Sequence, residues 1–254
     1  MSFELPRVAI LASGDIENGG GGSTAERVAL DVLEGRANFT IGVVICNNGP
    51  ESGVGVYEKF AKLNQRFGLT ADNRIDVINI SGKTHPGTRV EGGMTMAESN
   101  AIGETLKQRD IGFVAMLGYM KKVTGPFANQ WLWQPQHAHH VRHAFDQGRY
   151  HPDARVLNNH PAILPFTAGE HGAGAHQKAI DLYRTGKLSH TAMTWHLAAH
   201  QIDAGPIVGS QLIEIFDNDT ANSLGSRVQN AEKLMTSGVI EQHLILREQH
   251  LRNI

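Results

Sequence analysis

Cysteine is almost missing from this chain: Cys46 stands alone, which excludes any intramolecular disulfide. Long apolar runs are missing too. Stretches such as Val8 to Ala12 and Val43 to Cys46 fall far short of the ~20 residues that cross a bilayer, so an integral membrane protein is excluded. Met1 to Arg7 contain an acid and a proline and lack the basic start and apolar stretch of a secretory signal, which with the lone cysteine points to the cytoplasm. Nor is there an excess of either charge, with 23 Lys+Arg against 25 Asp+Glu. Lys121 and Lys122 are the only adjacent basic pair, so no basic stripe marks a nucleic-acid partner. No repeat, low-complexity tract or interdomain linker breaks the chain.

What remains is a composition of 41% hydrophobic and 19% charged residues over 254 positions, that of an ordinary globular protein. At roughly 150 residues per domain this length predicts one α/β unit. The residues in excess are 28 glycines and 14 histidines.

Arg7 to Ala12 read as a buried strand ended by Ser13-Gly14. The run Gly19 to Gly22 with Ser23-Thr24 follows, then a helix over Ala25 to Glu34. Phe39 to Cys46, Ile75 to Ile80 and Ile111 to Leu117 read as further strands, separated by helices ending near Phe67 and spanning Met96 to Arg109. This alternation predicts a mainly parallel sheet with helices on both faces. From Gly125 to Ala154 the rhythm breaks into a His-, Gln- and Trp-rich insertion, with at most one short helix. It resumes with strands at Arg155 to Asn159, His190 to Leu197 and Ile207 to Glu214, a helix near His176 to Thr185, and one or two helices from Thr220 to about Leu246. Leu224, Val228, Ala231 and Met235 fall on one face of the last segment.

Three clusters carry chemistry. The glycine run at the carboxyl end of the first strand lets backbone N–H groups and a helix N-terminus approach an anion, although it fits neither the dinucleotide nor the P-loop spacing. Asn158 and His160 alternate onto one face of a strand, pairing an amide donor with a proton-moving imidazole. Asp203 opens the turn Asp203-Ala204-Gly205-Pro206, where it can cap its own backbone or meet the imidazole.

The order of Ser-Gly and Gly-Ser turns, Leu117-Gly118-Tyr119-Met120, Asn158-Asn159-His160-Pro161 with Leu164-Pro165, His190-Thr191, and Asp203-Ala204-Gly205-Pro206 resembles the folate-dependent formyltransferases from Arg7 to about Leu246. The glycinamide ribonucleotide formyltransferases are the most similar branch. The resemblance implies a three-layer Rossmann-like α/β fold in a single domain, with a nucleotide-binding half over about 1–123, a folate-binding and catalytic half over about 124–254, and an insertion over about 129–154. It implies formyl transfer from 10-formyltetrahydrofolate, as co-substrate, to a phosphoribosyl glycinamide amine in purine synthesis. Asn158 and His160 would stabilise the oxyanion, and Asp203, paired with His160 and favouring its protonated form, would help move the amine proton. Gly22, Ser23 and Thr24 would hold the phosphate, with Gln229 and Glu232 on the ribose and amine. The folate would lie against Leu117, Tyr119, Met120, Lys121, Lys122, Val123, Ile202 and Gly205.

Departures from the family touch the substrate loops: a longer glycine turn, Thr24 where Asn is usual, Lys121 where Arg is usual, and a loop over Phe166 to His176 without the usual Pro-Gly. The partners expected are small molecules only, with neither nucleic acid nor membrane, in a monomer or homodimer. The alternatives are formylation of another phosphorylated amine or amino sugar, hydrolysis of the formyl-folate, or a noncatalytic folate or nucleotide binder. The hydrolases of the family usually carry an extra N-terminal domain, for which the residues before Arg7 leave no room. A fourth alternative is a metal hydrolase built on His139 and His143, spaced i, i+4 but with no adjacent carboxylate; no metal is expected.

Overall fold

Alternating apolar runs and amphipathic stretches set the element order in the computed structural model, which describes residues 5–14, 21–52, 55–134 and 154–252. The strands are β1 (Arg7–Ala12), β2 (Thr40–Cys46), β3 (Val77–Asn79), β4 (Phe113–Met116), β5 (Val156–His160), β6 (His190–Leu197) and β7 (Ile207–Glu214). The helices are α1 (Ser23–Leu33), α2 (Gly55–Arg66), α3 (Met96–Gln108), α4 (Gly125–Trp131), α5 (Gly172–Arg184) and α6 (Ala221–Arg252). The strands form one seven-stranded sheet in the order β3-β2-β1-β4-β5-β6-β7. β1 to β5 are parallel, whereas β6 runs antiparallel to β5 and β7 antiparallel to β6.

Both faces of the sheet are packed, which is why β1 and β2 read as unbroken apolar runs. On one face Ile10, Val44, Leu157 and Trp195 meet Val28 of α1, Phe60 of α2, Ile180 of α5 and Leu224, Val228 and Ile240 of α6. On the other, Leu11, Val43, Val114 and Val156 meet Ile102 and Leu106 of α3 and Phe127 and Trp131 of α4. Each such side chain, fully buried, contributes about 1.5–3 kcal/mol. Among the described residues this second face has no helix over the carboxyl half of β5 or over β6. Its alternate positions there are polar: Asn158, His160 and His196.

Helix α3 begins at a capping box in which Thr95 accepts from the Glu98 amide and Glu98 from the Thr95 amide. Helix α6 is continuous over 32 residues where the sequence allowed two. It is tied to α1 by the Ser237 hydroxyl, which donates to the buried Asp31 carboxylate at 2.6 Å, itself clamped by Arg27 and Arg36. One expectation fails here. Leu224 and Val228 are buried, but Met235 is 42% exposed, and the buried stripe continues through Thr236, Ser237 and Ile240. The stripe turns inward at polar residues because these reach partners: Thr236 accepts the Trp195 indole N–H at 3.1 Å and donates to the Glu232 carbonyl. The expected pair His139 and His143, and Gly19 and Gly20, lie outside the described residues, within which no helix is long and apolar enough to cross a membrane.

His243 lies under the sheet with its ring 4.9 Å from that of Phe113, and burial, with a smaller contribution from Arg247, pushes its pKa down to about 3. The native state therefore resists protonation that the unfolded chain accepts below about pH 6.5, so stability falls as pH drops from there towards 3. Replacing His243 with Leu should reduce that loss by about 1.4 kcal/mol per pH unit. Urea unfolding followed from pH 7 to pH 4.5 reads the slope, and equal slopes in both proteins would exclude His243 as its source.

Candidate active site

The carboxyl ends of β4 and β5, the loops after β5 and β6 and the first turns of α6 enclose a cleft of about 650 Å³. That volume suits a small-molecule ligand. Strand β5 brings Asn158 and His160 to the uncovered face, as period-two alternation predicts. The antiparallel register places His196 of β6 directly opposite Asn158. The His196 Nδ1 faces the Leu197 carbonyl at 3.0 Å, so that nitrogen carries the proton. Its Nε2 then accepts from the Asn158 amide nitrogen at 3.0 Å, which fixes Asn158 with a second N–H to spare.

Asp203 closes the group. It sits in a left-handed turn conformation, φ 56°, which Asp tolerates better than most residues. Its side chain is 7% exposed, with one oxygen 3.4 Å from His160 Nδ1 and the other 3.4 Å from His196 Nε2. The Gly169 amide donates to it at 2.9 Å. Burial on its own would raise the Asp203 carboxyl; the contact with His196, the Gly169 amide and the His160 ring outweigh it and hold the pKa below the usual value. His160 moves down as well, because burial outweighs the attraction of Asp203, with His196 and His171 adding to the depression. Asp203 favours the protonated ring, as expected, but in a 3% exposed ring the desolvation penalty is the larger effect. The remaining ring nitrogen, Nε2, lies 3.0 Å from the Thr167 hydroxyl.

Gln229 and Glu232 share a helix face and both line the cleft. Glu232 is hydrogen-bonded by Thr24 and by the Asn159 amide; burial raises its pKa against those bonds. Thr24 thus reaches the site from behind. Gly22, at φ 72°, forms the left-handed N-cap of α1 with no capping side chain, and neither it nor Ser23 lines the cleft itself. Tyr119, Met120, Lys121, Lys122, Val123 and Ile202 all line it. The Met120 amide is held by Ser13 Oγ at 2.7 Å. The two ammonium groups are committed elsewhere, Lys121 to the buried Glu98 and Lys122 to Glu91, so this loop offers the cleft backbone groups and apolar stems. Leu117 belongs to the core, and Gly205 packs so closely on the Leu197 carbonyl that a Cβ would stand 1.8 Å from its oxygen.

Sequence reasoning missed three participants: His196, Thr167 and His176. His196 lay in a strand read correctly, but its place opposite Asn158 depends on a register between strands that single-strand alternation does not give. Thr167 lies in the loop that departs from the family pattern. His176, on α5, lines the cleft, and burial with the nearby His160 lowers its pKa to about 4. Among the described residues no three His, Cys, Asp or Glu side chains are grouped as metal ligands.

Residues 150–240 match the formyl transferase family model. The chain is similar to the human trifunctional purine biosynthetic protein adenosine-3, 27% identical over 250 residues, which are 94% of this chain and 19% of that protein. It is 24% identical over 148 residues to the phosphoribosylglycinamide formyltransferase of Bacillus subtilis, 58% of this chain and 62% of that one. The chain thus spans about a fifth of the length of the human relative. In fold it matches glycinamide ribonucleotide transformylase 1 of Symbiobacterium toebii, with TM-score 0.67, 21% identity and coverage of 95% of this chain and 88% of that one. A formyltetrahydrofolate deformylase of Pseudomonas syringae matches with TM-score 0.61 at 15% identity, over 96% of this chain and 62% of that one. The family match lies over β5, β6 and the loop of Asp203.

Proposed function

We propose that this protein transfers the formyl group of 10-formyltetrahydrofolate to the primary amine of phosphoribosylglycinamide, in purine synthesis and in the cytoplasm. The observation that carries this reading is the placing of Asp203 between His160 and His196, beside Asn158, in one cleft with Gln229 and Glu232. The folate would occupy the side lined by Tyr119, Met120, Val123 and Ile202, where backbone groups meet its polar edge. The nucleotide would lie towards α6 and α1, with its phosphate at the uncapped N-terminus over Gly22, Ser23 and Thr24.

The amine nitrogen attacks the formyl carbon, the bond from that carbon to the folate nitrogen breaks, and one proton leaves the amine for the folate nitrogen. Asn158 donates its free N–H to the formyl oxygen as negative charge gathers there. Asp203, ionised, takes the amine proton directly or through water and relays it to His160, from which it passes to the folate nitrogen as the bond to the formyl carbon breaks. The resulting imidazolium places positive charge beside the reacting centre. No residue named here requires a metal, and the small molecules are the partners; a monomer satisfies the geometry.

Product formation from 10-formyltetrahydrofolate, followed spectrophotometrically, should depend on added glycinamide ribonucleotide. Turnover without it indicates hydrolysis instead. Asn158→Ala should lower kcat by about 10²–10³-fold, and Asp203→Asn by about 10²–10⁴-fold, while a binding protein would retain folate affinity with no turnover to lose. Because His160 must be neutral to accept the proton, and burial holds its pKa below the ordinary value of an imidazole, kcat/KM should stay level from pH 8 to 7 and fall only on further acidification. A rate that rises on acidification would reverse the assigned protonation state.

A further inference from the structure

Thr167 is 0% exposed, beneath the imidazole of His160. Its hydroxyl makes two contacts, 2.8 Å to the Ile163 carbonyl and 3.0 Å to His160 Nε2. A carbonyl oxygen only accepts, so the single hydroxyl proton is directed at Ile163. The second contact is then satisfied only if His160 donates: Nε2 carries the proton. In the neutral ring, Nδ1 keeps its lone pair, and that lone pair faces Asp203 Oδ2 across 3.4 Å. Two acceptors confront each other there, and one proton placed between them satisfies both.

A neutral imidazole beside a carboxylate otherwise prefers the opposite arrangement, with Nδ1–H donating to the carboxylate. A ring held that way already fills the position through which Asp203 would hand on a proton. We propose that Thr167 is a positioning residue that fixes neutral His160 as the Nε2–H tautomer and so keeps Nδ1 open to the proton passed from Asp203. The catalytic consequence rests on the transfer reading above; the tautomer does not. The charged and titratable groups around this ring are Asp203 from the loop after β6, His196 from β6, His171 at the N-cap of α5 and His176 within α5. Thr167 adds no charge to them, so its effect is on where the proton sits.

The test is long-range ¹H–¹⁵N correlation on histidine-labelled protein at pH 7.5, where His160 is neutral, with the His160 signals assigned by their loss in His160→Gln. Wild type should show a protonated Nε2 and an unprotonated Nδ1. Thr167→Val, which keeps the shape and removes the hydroxyl, should move the ring towards Nδ1–H, and Thr167→Ser should restore Nε2–H. In steady-state assays kcat should drop about tenfold or more in the Val variant with KM little changed, and return to within about threefold in the Ser variant. A wild-type ring protonated at Nδ1, or a tautomer unmoved in Thr167→Val, overturns the proposal. Tautomers that move as described in a protein without formyl transfer would sink the transferase reading alone and leave the positioning of His160 standing.

Discussion

The site depends on one buried carboxylate. Asp203 is held out of water in a backbone conformation that a β-carbon disfavours, and neither condition is stable on its own account. A positive φ costs about 1 kcal/mol or more, and removing an ionised carboxylate from solvent costs several kcal/mol unless it is paired. The Gly169 amide donates to it, and two imidazoles on adjacent strands stand 3.4 Å from its two oxygens. Each of these partners is in turn fixed: His196 by the Leu197 carbonyl, His160 by Thr167. The loops after β5 and β6 are thereby joined through a single side chain.

The layering explains why such a polar group can exist in a sheet this apolar. Over β1 and β4 both faces are closed by helices, so every position from Val8 to Ala12 and from Phe113 to Met116 is hydrophobic and buried. Over the carboxyl half of β5 and over β6 one described face lacks a helix, and the alternation that puts Leu157 and Trp195 into the core puts Asn158, His160 and His196 into the cleft. The reversal of strand direction at β6 matters as well, since it sets His196 squarely opposite Asn158. The other wall comes from a different source. Helix α6 reaches from Gln229 and Glu232 at the cleft to His243 and Leu244 in the core, and its bond to Asp31 of α1 holds that wall against the glycine turn.

Much of this was legible in the sequence. Ser13-Gly14 ends β1, Ser189 precedes β6 and Pro206 precedes β7, and Asn158, His160 and Asp203 announce themselves as chemistry at turns. What escaped reading has a common cause: it depends on pairing between distant segments. Register between β5 and β6 selects His196, and the return of the Phe166 loop brings Thr167 under His160. Met235 was misplaced because helical periodicity assumes that the apolar face is the buried one, while here Thr236 and Ser237 are drawn inward by Trp195 and Asp31. The charge on His160 was not legible for a related reason, since a neighbouring aspartate is visible in a sequence and the depth of burial is not.

The packing of Gly205 on the Leu197 carbonyl reaches beyond its own position. Since no side chain fits there, the foot of the Asp203 loop is pinned, while the side chains at its tip, Gln201 and the 54% exposed Ile202, face solvent. Variation, whether natural or introduced in a library, is thus channelled to the tip. A descendant of this chain can change which molecule it admits at Ile202 and keep the same carboxylate in the same place, so selectivity and chemistry are inherited separately within a loop of a few residues.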